Sequence, residues 1–537
     1  MCGIWALLSQ KNLEHLHKCY KAFLKISHRG PEFSTFEKIL PNLLLGFHRL
    51  AIIDTSERGH QPFHKTRKDG SYFYTICNGE IYNYKQLIKK YDLPCQTHSD
   101  CEVIMLLYEK FGIEQMVKLL DGEFAFIIVD INTNGKIKMF AGRDPLGVRP
   151  IFYSQDDDSI CISSEMKGLT DIYKVIKVFP PGKILEYDNK MTFTTFYHYI
   201  YQELGPSFPI EKIHEEVARR LRNSVKKRLM SDKPFGALLS GGLDSSAIVA
   251  IMKELLPENQ SFPVFTIAFD DDSPDLHFAK IVASTLKLDH HIITVSPEEA
   301  ITFIDETIFS TESWDITTVR CSVAQLILSK YIREKTQIRV LLCGENSDEC
   351  TSGYMGFHYT KDQIKMHEEN IKLIKNVHCY DGLRTDRTMA KYGLEIRLPF
   401  ADPEFVDYYL SLPPNLRMPK NGLEKFLLRE SCKHFKHLPE EIRIRVKNAF
   451  SDGITSREKS WFGILQSHFD KMITDEEFNE NRKKFTYNTP YTKESYYYRK
   501  RFHEFFGDNA QVIPYFWLQP FSTSTDPSAR TLEIFKD

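Results

Sequence analysis

A change of texture near residue 200 constrains this chain more than any other feature. Before it lie short runs rich in β-branched and aromatic residues: LLLGFHRLAII (43–53), SYFYTICN (71–78), FAFIIVDI (124–131) and KIKMFAG (136–142). With turns such as NTNG between them, these runs predict strands in antiparallel sheets. Helical periodicity enters once clearly, at CEVIMLLYEKFG (101–112). Beyond residue 212 short apolar strands alternate with helices: FGALL (235–239) then SSAIVAIMKELL, VFTIAF (264–269) then a second helix, and RVLLC (339–343). That alternation predicts a parallel α/β sheet. YQELGPSFPIEK (201–212) carries Gly, two Pro and charge, and reads as a linker. A chain of 537 residues is too long for one ordinary core. The expected division is therefore a first domain over 2–200, the linker over 201–212, a second domain over 213–525, and a loose tail over 526–537.

Composition excludes several classes. The formal net charge is −2 and there is no long basic stretch, so the electrostatic footprint of a nucleic-acid binder is missing. No apolar run reaches the roughly 18 residues of a membrane span, and IWALL is too short and lacks the basic flank of a signal peptide. Eleven cysteines form no CxxC pair, which fits reduced thiols in the cytoplasm better than a zinc site or disulfide framework.

The loop after the first α/β strand reads LLSGGLDSS (238–246). Its two glycines let backbone N–H groups approach an anion, and the following helix aims its N-terminus at the same place. GxxxxGK[ST] is missing, so this is not a Walker A loop. Alone, the loop reads more readily as a helix-capping turn than as an anion site. Two further strands end in acidic runs, DDDSPD (270–275) and GENSDE (344–349). Ligands of parallel α/β sheets sit beyond the carboxyl ends of strands. Carboxylates facing a phosphate loop need an intervening cation, and Mg²⁺ accepts one or two of them plus substrate phosphates. Asp244 and Asp348 are the expected ligands. SGGLDSS before a helix resembles the pyrophosphate loop of the ATP pyrophosphatase class, which cleaves ATP between the α and β phosphates.

The amino terminus reads MCGIWALLS. Removing Met1 would give Cys2 a thiol and a free α-amine on one carbon. An α-amine has a reference pKa of about 7.7–8.0, so roughly a tenth is neutral at pH 7 and can take the thiol proton. Cys2 is followed by HRGPEFS (28–34), HRLAIID (48–54), NGEIYNY (78–84), SDCEVI (99–104), DGEFAF (121–126) and GRDPLGVRP (142–150). This string resembles the glutaminase domain of class II glutamine amidotransferases. Joined to SGGLDSS and GENSDE, and with GLEIRLPFAD (393–402) and YNTPYTKESYYYR (487–499), the chain resembles the glutamine-hydrolysing asparagine synthetases nearly end to end.

The resemblance implies an α+β sandwich like that of the N-terminal nucleophile hydrolases, followed by the α/β domain. It implies that Cys2 attacks the glutamine amide and that Asn78 and the Gly79 N–H stabilise the oxyanion. The glutamine site would comprise Arg49, Leu50, Ala51, Ile52, Ile53, Asn78, Gly79, Glu80 and Asp100, with Arg49 on the carboxylate and Glu80 and Asp100 on the ammonium. The ATP site would comprise Leu238, Ser240, Gly241, Gly242, Asp244, Ser245, Ser246, Ala268, Cys343 and Gly344. Thr317 and Arg320, in WDITTVR, match positions linked to aspartate; Glu345 matches the position serving the attacking ammonia, and Lys447 the lysine near the transferring phosphates. The implied reaction consumes glutamine, aspartate and MgATP and forms asparagine through β-aspartyl-AMP, with ammonia passing through an internal tunnel. It leaves a homodimer open.

The sequence departs from the family in one loop. Members commonly read SGEGSDEVFGGY; here the segment is CGENSDECTSGY (343–354). Ala268 also replaces a larger aliphatic residue. Glycine is favoured where φ is positive and asparagine is its commonest substitute, so Asn346 is expected in a left-handed conformation. Two other readings stay open: a β-lactam-forming relative that cyclises its own substrate, and a regulatory protein whose synthetase half has decayed. Intact Cys2, Arg49 and Asp100 argue against the first, and only the altered loop supports the second.

Overall fold

The computed structural model describes residues 1–198, 209–456 and 458–535, so most of the expected linker, 201–208, lies outside the described residues. Two six-stranded antiparallel sheets build the first half. One orders Lys177–Val178, Phe152–Gln155, Ser159–Ser163, Gly3–Ser9, Leu43–Arg49 and Phe33–Leu40. The other orders Met191–Thr195, Lys183–Tyr187, Ile137–Arg143, Gly122–Ile131, Tyr72–Ile81 and Phe63–Thr66. Ile4, Ala6, Leu45 and Phe47 of the first sheet meet Ile76, Ile127, Val129 and Ala141 of the second in one apolar layer, the packing expected of a sandwich. The outer face of the second sheet is covered by the helix Glu102–Leu119, through Val103, Ile104 and Leu107.

The sequence reading of 43–53 as one strand is too long. The strand ends at Arg49, and Leu50–Ile53 run on as a buried loop, because Leu50, Ile52 and Ile53 pack against Val340 of the second domain rather than in a ladder. The central helix of the C-terminal half begins at Ile210, inside the stretch read as linker.

Residues beyond 210 form a five-stranded sheet whose pairings are all parallel, ordered Asp289–Thr294, Pro263–Ala268, Phe235–Leu238, Val340–Leu342 and Glu395–Arg397. From the central strand, Phe235–Leu238, the order runs outward in both directions. The gap between its end and that of Val340–Leu342 is therefore a topological switch point, where such sheets bind ligands. The expected loose tail does not hold among the described residues. Asp452 accepts hydrogen bonds from Ser528 Oγ (2.6 Å) and Ala529 N (3.0 Å), and Ala529 and Leu532 are buried against Met355. Charged, non-periodic sequence concealed these anchors because their partners lie 76 or more residues away.

The halves are joined by buried ion pairs. Arg228, at the end of the helix Ile210–Arg228, contacts Glu123 of the first domain at 2.7 Å and Asp402 at 2.9 Å. Glu312 accepts from the backbone N–H groups of Met166 (3.0 Å) and Lys167 (2.7 Å). Buried ions lose hydration, so such pairs fix one docking geometry more than they add stability. Among the described residues no helix is long and apolar enough to cross a membrane.

Candidate functional sites

In the first domain Cys2 opens the strand that pairs with both Leu43–Arg49 and Ser159–Ser163. Its thiol donates to the Leu50 carbonyl at 3.6 Å, and burial pushes it up to about 11. Burial lowers the α-amine at Met1, which lies 3.7 Å from Glu395 Oε2. Asn78 is fully buried, and neither atom of its amide has a hydrogen-bond partner. Buried polar groups are nearly always paired, so an orphaned amide beside a thiol-bearing strand fits a donor kept for a ligand.

Glu80 and Asp100 form a buried acidic pair. Burial, then Asp100, raises the Glu80 carboxyl well above its ordinary range. Burial likewise brings Asp100 up to about 7, against the hydrogen bond it accepts from Ile81 N at 2.6 Å. Two buried carboxylates side by side suit an incoming ammonium. Arg49, expected on a carboxylate, is held by the carbonyls of Ser56 (2.6 Å) and Asp54. Ala51 N donates to Glu32 at 2.6 Å, and the Ile52 carbonyl accepts from Asp232 N at 3.1 Å. Leu50 is thus the member of that run in contact with Cys2.

Two residues of this region come from the second domain and escaped the sequence reading. Glu395 faces the α-amine, and Arg397 lies 3.6 Å from Glu80. Against burial, Arg397 and the α-amine hold Glu395 at about 2. Their segment, GLEIRLPFAD, carries a family resemblance but no chemical signature of its own.

The second site is a cavity of about 130 Å³ at the switch point. Of the expected nucleotide residues, Leu238, Ser240, Gly242, Asp244, Ser245, Cys343 and Gly344 line it. Gly241, Ser246 and Ala268 do not: Gly241 packs on Phe278 and Ala279, Ser246 is fully buried, and Ala268 is buried in its strand with its carbonyl accepting from Val295 N. Phe265, Thr266 and Ile267 line that wall instead. No side chain caps the helix Leu243–Leu255, which leaves its N-terminus facing the cavity.

Glu345 bonds Arg384 at 2.6 Å and Gln325 at 3.0 Å; burial raises its carboxyl and Arg384 opposes that. Asp348 contacts Lys425 at 2.5 Å and Lys447 at 2.6 Å. Against burial, these lysines hold Asp348 well below the carboxylate range, and Asp348 with Asp244 holds Lys447 above its own. Lys425 also bonds Asp244. Asp244 and Asp348 therefore converge on one buried spot. Among the described residues no group of three or more His, Cys, Asp or Glu side chains could hold a metal, so this pair of hard oxygen donors suits Mg²⁺ completed by phosphates rather than an all-protein cage.

Thr317 lines the cavity with a buried, unpartnered hydroxyl. Arg320, expected beside it on aspartate, spends its guanidinium on Glu494 (2.8 and 2.6 Å) and Asp526 (2.8 and 2.9 Å). Two carboxylates thus hold the fork in place while Arg320 still lines the cavity beside Thr317, and sequence could not reveal those partners because both lie more than 170 residues away. Asn346 adopts φ 68°, ψ 9°, the left-handed conformation expected for it, and Ser352, also standing for a glycine, adopts φ 57°, ψ 47°.

A sandwich with a cysteine thiol at its amino end, docked on a parallel sheet with a glycine-rich loop at its switch point, is the architecture of the two-site amidotransferases of the glutaminase–synthetase class. A glutamine amidotransferase domain model matches residues 1–204, and an asparagine synthase model matches 216–371 and 359–526. The chain is 43% identical over 564 residues to the asparagine synthetase (glutamine-hydrolysing) of Bos taurus and 43% identical over 564 to that of Mus musculus. Against the Homo sapiens protein of the same name it is 41% identical over 565. Each match covers 100% of this chain and 99% of the relative. The chain belongs to the glutamine-hydrolysing asparagine synthetase family.

Proposed function

We propose that this enzyme makes L-asparagine from L-aspartate, L-glutamine and ATP, with the chemistry divided between the two sites described above. After removal of Met1, the neutral α-amine of Cys2 takes the thiol proton. The thiolate attacks the glutamine amide carbon, the Asn78 amide and Gly79 N–H carry the oxyanion, and the protonated amine returns its proton to departing ammonia. Water then hydrolyses the thioester to glutamate. Glu80 and Asp100 receive the ammonium of glutamine.

In the second site the aspartate side-chain carboxylate attacks the α-phosphorus of ATP. Pyrophosphate leaves, β-aspartyl-AMP remains, and ammonia displaces AMP while Glu345 takes the surplus proton. The loop Ser240–Ser245 and Lys447 bind the phosphates, and Thr317 faces aspartate. Asp244 and Asp348 would hold Mg²⁺, which would supply positive charge to the phosphates. A cytoplasmic location is supported by the eleven cysteines, all of them free.

One observation carries the reading of two joined sites. Arg29 Nε donates to the Cys2 carbonyl at 2.9 Å, while its Nη1 reaches Asp386 at 2.8 Å. Asp386 lies two residues from Arg384, the partner of Glu345, on the helix Asp381–Ala390. The test is Cys2→Ala, assayed for asparagine and AMP with glutamine and separately with ammonia. Glutamine-dependent synthesis should vanish and ammonia-dependent synthesis should persist; loss of both in a folded variant overturns the division.

A further inference from the structure

Lys425 is a residue of the second site that sequence gave no reason to single out, and its placement is specific. It occupies the N-cap of the helix Phe426–Ser431 with φ 56°, a left-handed backbone, and is 1% exposed. Its ammonium touches both Asp244 and Asp348. The stem lies so close to Gly353 that a Cβ there would meet Lys425 Cε and Asp348 Oδ1, each at 2.0 Å. Asp244 is further fixed by Ser347 Oγ at 2.8 Å, and Asp348 by Lys447 on its second oxygen at 2.6 Å. Two carboxylates and two ammonium groups thus balance in a buried spot.

We propose that Lys425 is a placeholder cation, occupying the metal position between Asp244 and Asp348 in the nucleotide-free enzyme, so that a divalent ion enters only together with the phosphates of ATP. The proposal rests on the assignment of these two aspartates as metal ligands. Mg²⁺ needs ligand oxygens at about 2.0–2.1 Å, and the Lys425 ammonium already fills the space between the two facing oxygens. The lysine must withdraw, and a divalent ion left beside two lysines would be strongly repelled at low dielectric. Polyphosphate brings the negative charge that offsets both. Free Mg²⁺ is excluded, and metal entry and nucleotide entry become one event.

The test is direct titration of the full-length, nucleotide-free protein with Mn²⁺ alone, following unbound Mn²⁺ by its paramagnetic resonance signal. Wild type should bind Mn²⁺ weakly, and Lys425→Gln should bind it at least about tenfold more tightly, since the competing charge is gone. Lys425→Arg keeps the charge and should stay as weak as wild type. Equal Mn²⁺ affinity in wild type and Lys425→Gln overturns the placeholder role. Should Lys425→Gln not fold, the wild-type titration decides: tight stoichiometric binding without nucleotide refutes the proposal. The double variant Lys425→Gln/Asp348→Asn separates the underlying assignment, because tightened binding that survives loss of Asp348 removes that aspartate from the metal site.

Discussion

Asn346→Val should damage the synthetase site and Asn346→Gly should not. The backbone at 346 is left-handed, φ 68° and ψ 9°, and this residue starts the short helix Ser347–Thr351 that carries Asp348. Glu345 stands immediately before it. A branched Cβ in this conformation clashes with its own backbone, at a cost of about 1–3 kcal/mol. The loop can relieve that strain only by rotating, which moves Glu345 off Arg384 and Gln325 or Asp348 off its two lysines. At 1.36 kcal/mol per decade, full expression of the strain in the transition state lowers turnover by about 5- to 150-fold. The Asn346 side chain also faces Gly382, its Nδ2 lying 3.7 Å from where a Cβ of that glycine would be, so branching has little room to escape. Glycine adopts the same backbone without strain and removes an amide whose two polar atoms are buried and unpaired. Its own cost is chain entropy, about 0.5–1 kcal/mol of stability. AMP formation with aspartate, ATP and ammonia isolates this site, and glutaminase turnover is the internal control. A valine variant within twofold of wild type would refute the backbone argument. A glycine variant that raised activity from nothing would instead mark this loop as decayed.

Further predictions follow from the same contacts. Gly79→Ala should reduce glutaminase turnover by about 100-fold or more, because the added Cβ would lie 2.0 Å from the Glu123 carbonyl and shift an oxyanion donor; near-normal turnover would free Gly79 of that role. The KM for glutamine should rise as pH falls through about 7, since burial brings Asp100 to that value and protonation removes the charge facing the substrate ammonium; a flat KM between pH 6 and pH 8, as order-of-magnitude bounds around that value, would show Asp100 ionised throughout. Arg320→Met should lower stability by about 3–5 kcal/mol, because Glu494 and Asp526 lose a shared partner; a large rise in the aspartate KM at unchanged melting temperature would restore the direct substrate role expected from sequence.

What sequence could convey depended on the distance between partners. Strands and helices were legible because their signals are local: the β-branched and aromatic content of FAFIIVDI gives the strand Gly122–Ile131, and LLSGGLDSS gives a strand, a loop and a helix in order. Asn346 was legible for the same reason, since a positive φ follows from its own residue type and from the glycine it replaces. Lys425, Arg384 and the Glu395–Arg397 pair were not. Each looks like an ordinary charge on a helix or strand, and each acquires its role only when segments far apart in sequence are brought together. Leu50–Ile53 failed in the opposite sense. Their apolar run promised a strand, but docking of the second domain supplied the burial that a ladder would otherwise have provided.

The altered loop can now be weighed against the reading of a decayed synthetase. Two glycines of the family pattern are replaced, by Asn346 and Ser352, and both replacements hold positive φ. A loop released from its task has no reason to keep two non-glycine residues at conformations that cost energy. Strain persists where surrounding contacts determine the backbone, and here they do: Ser352 Oγ donates to Asn370 at 3.0 Å, Asn370 donates to the Glu349 carbonyl at 2.7 Å, and Ser347 Oγ bonds Asp244. Cys343 keeps its place beside Gly344 on the cavity wall. The chemistry-bearing side chains of the segment, Glu345 and Asp348, each retain two polar partners directed at the same cavity. Substitution has changed the identity of the turn residues and left the turn, which is the pattern of a working site.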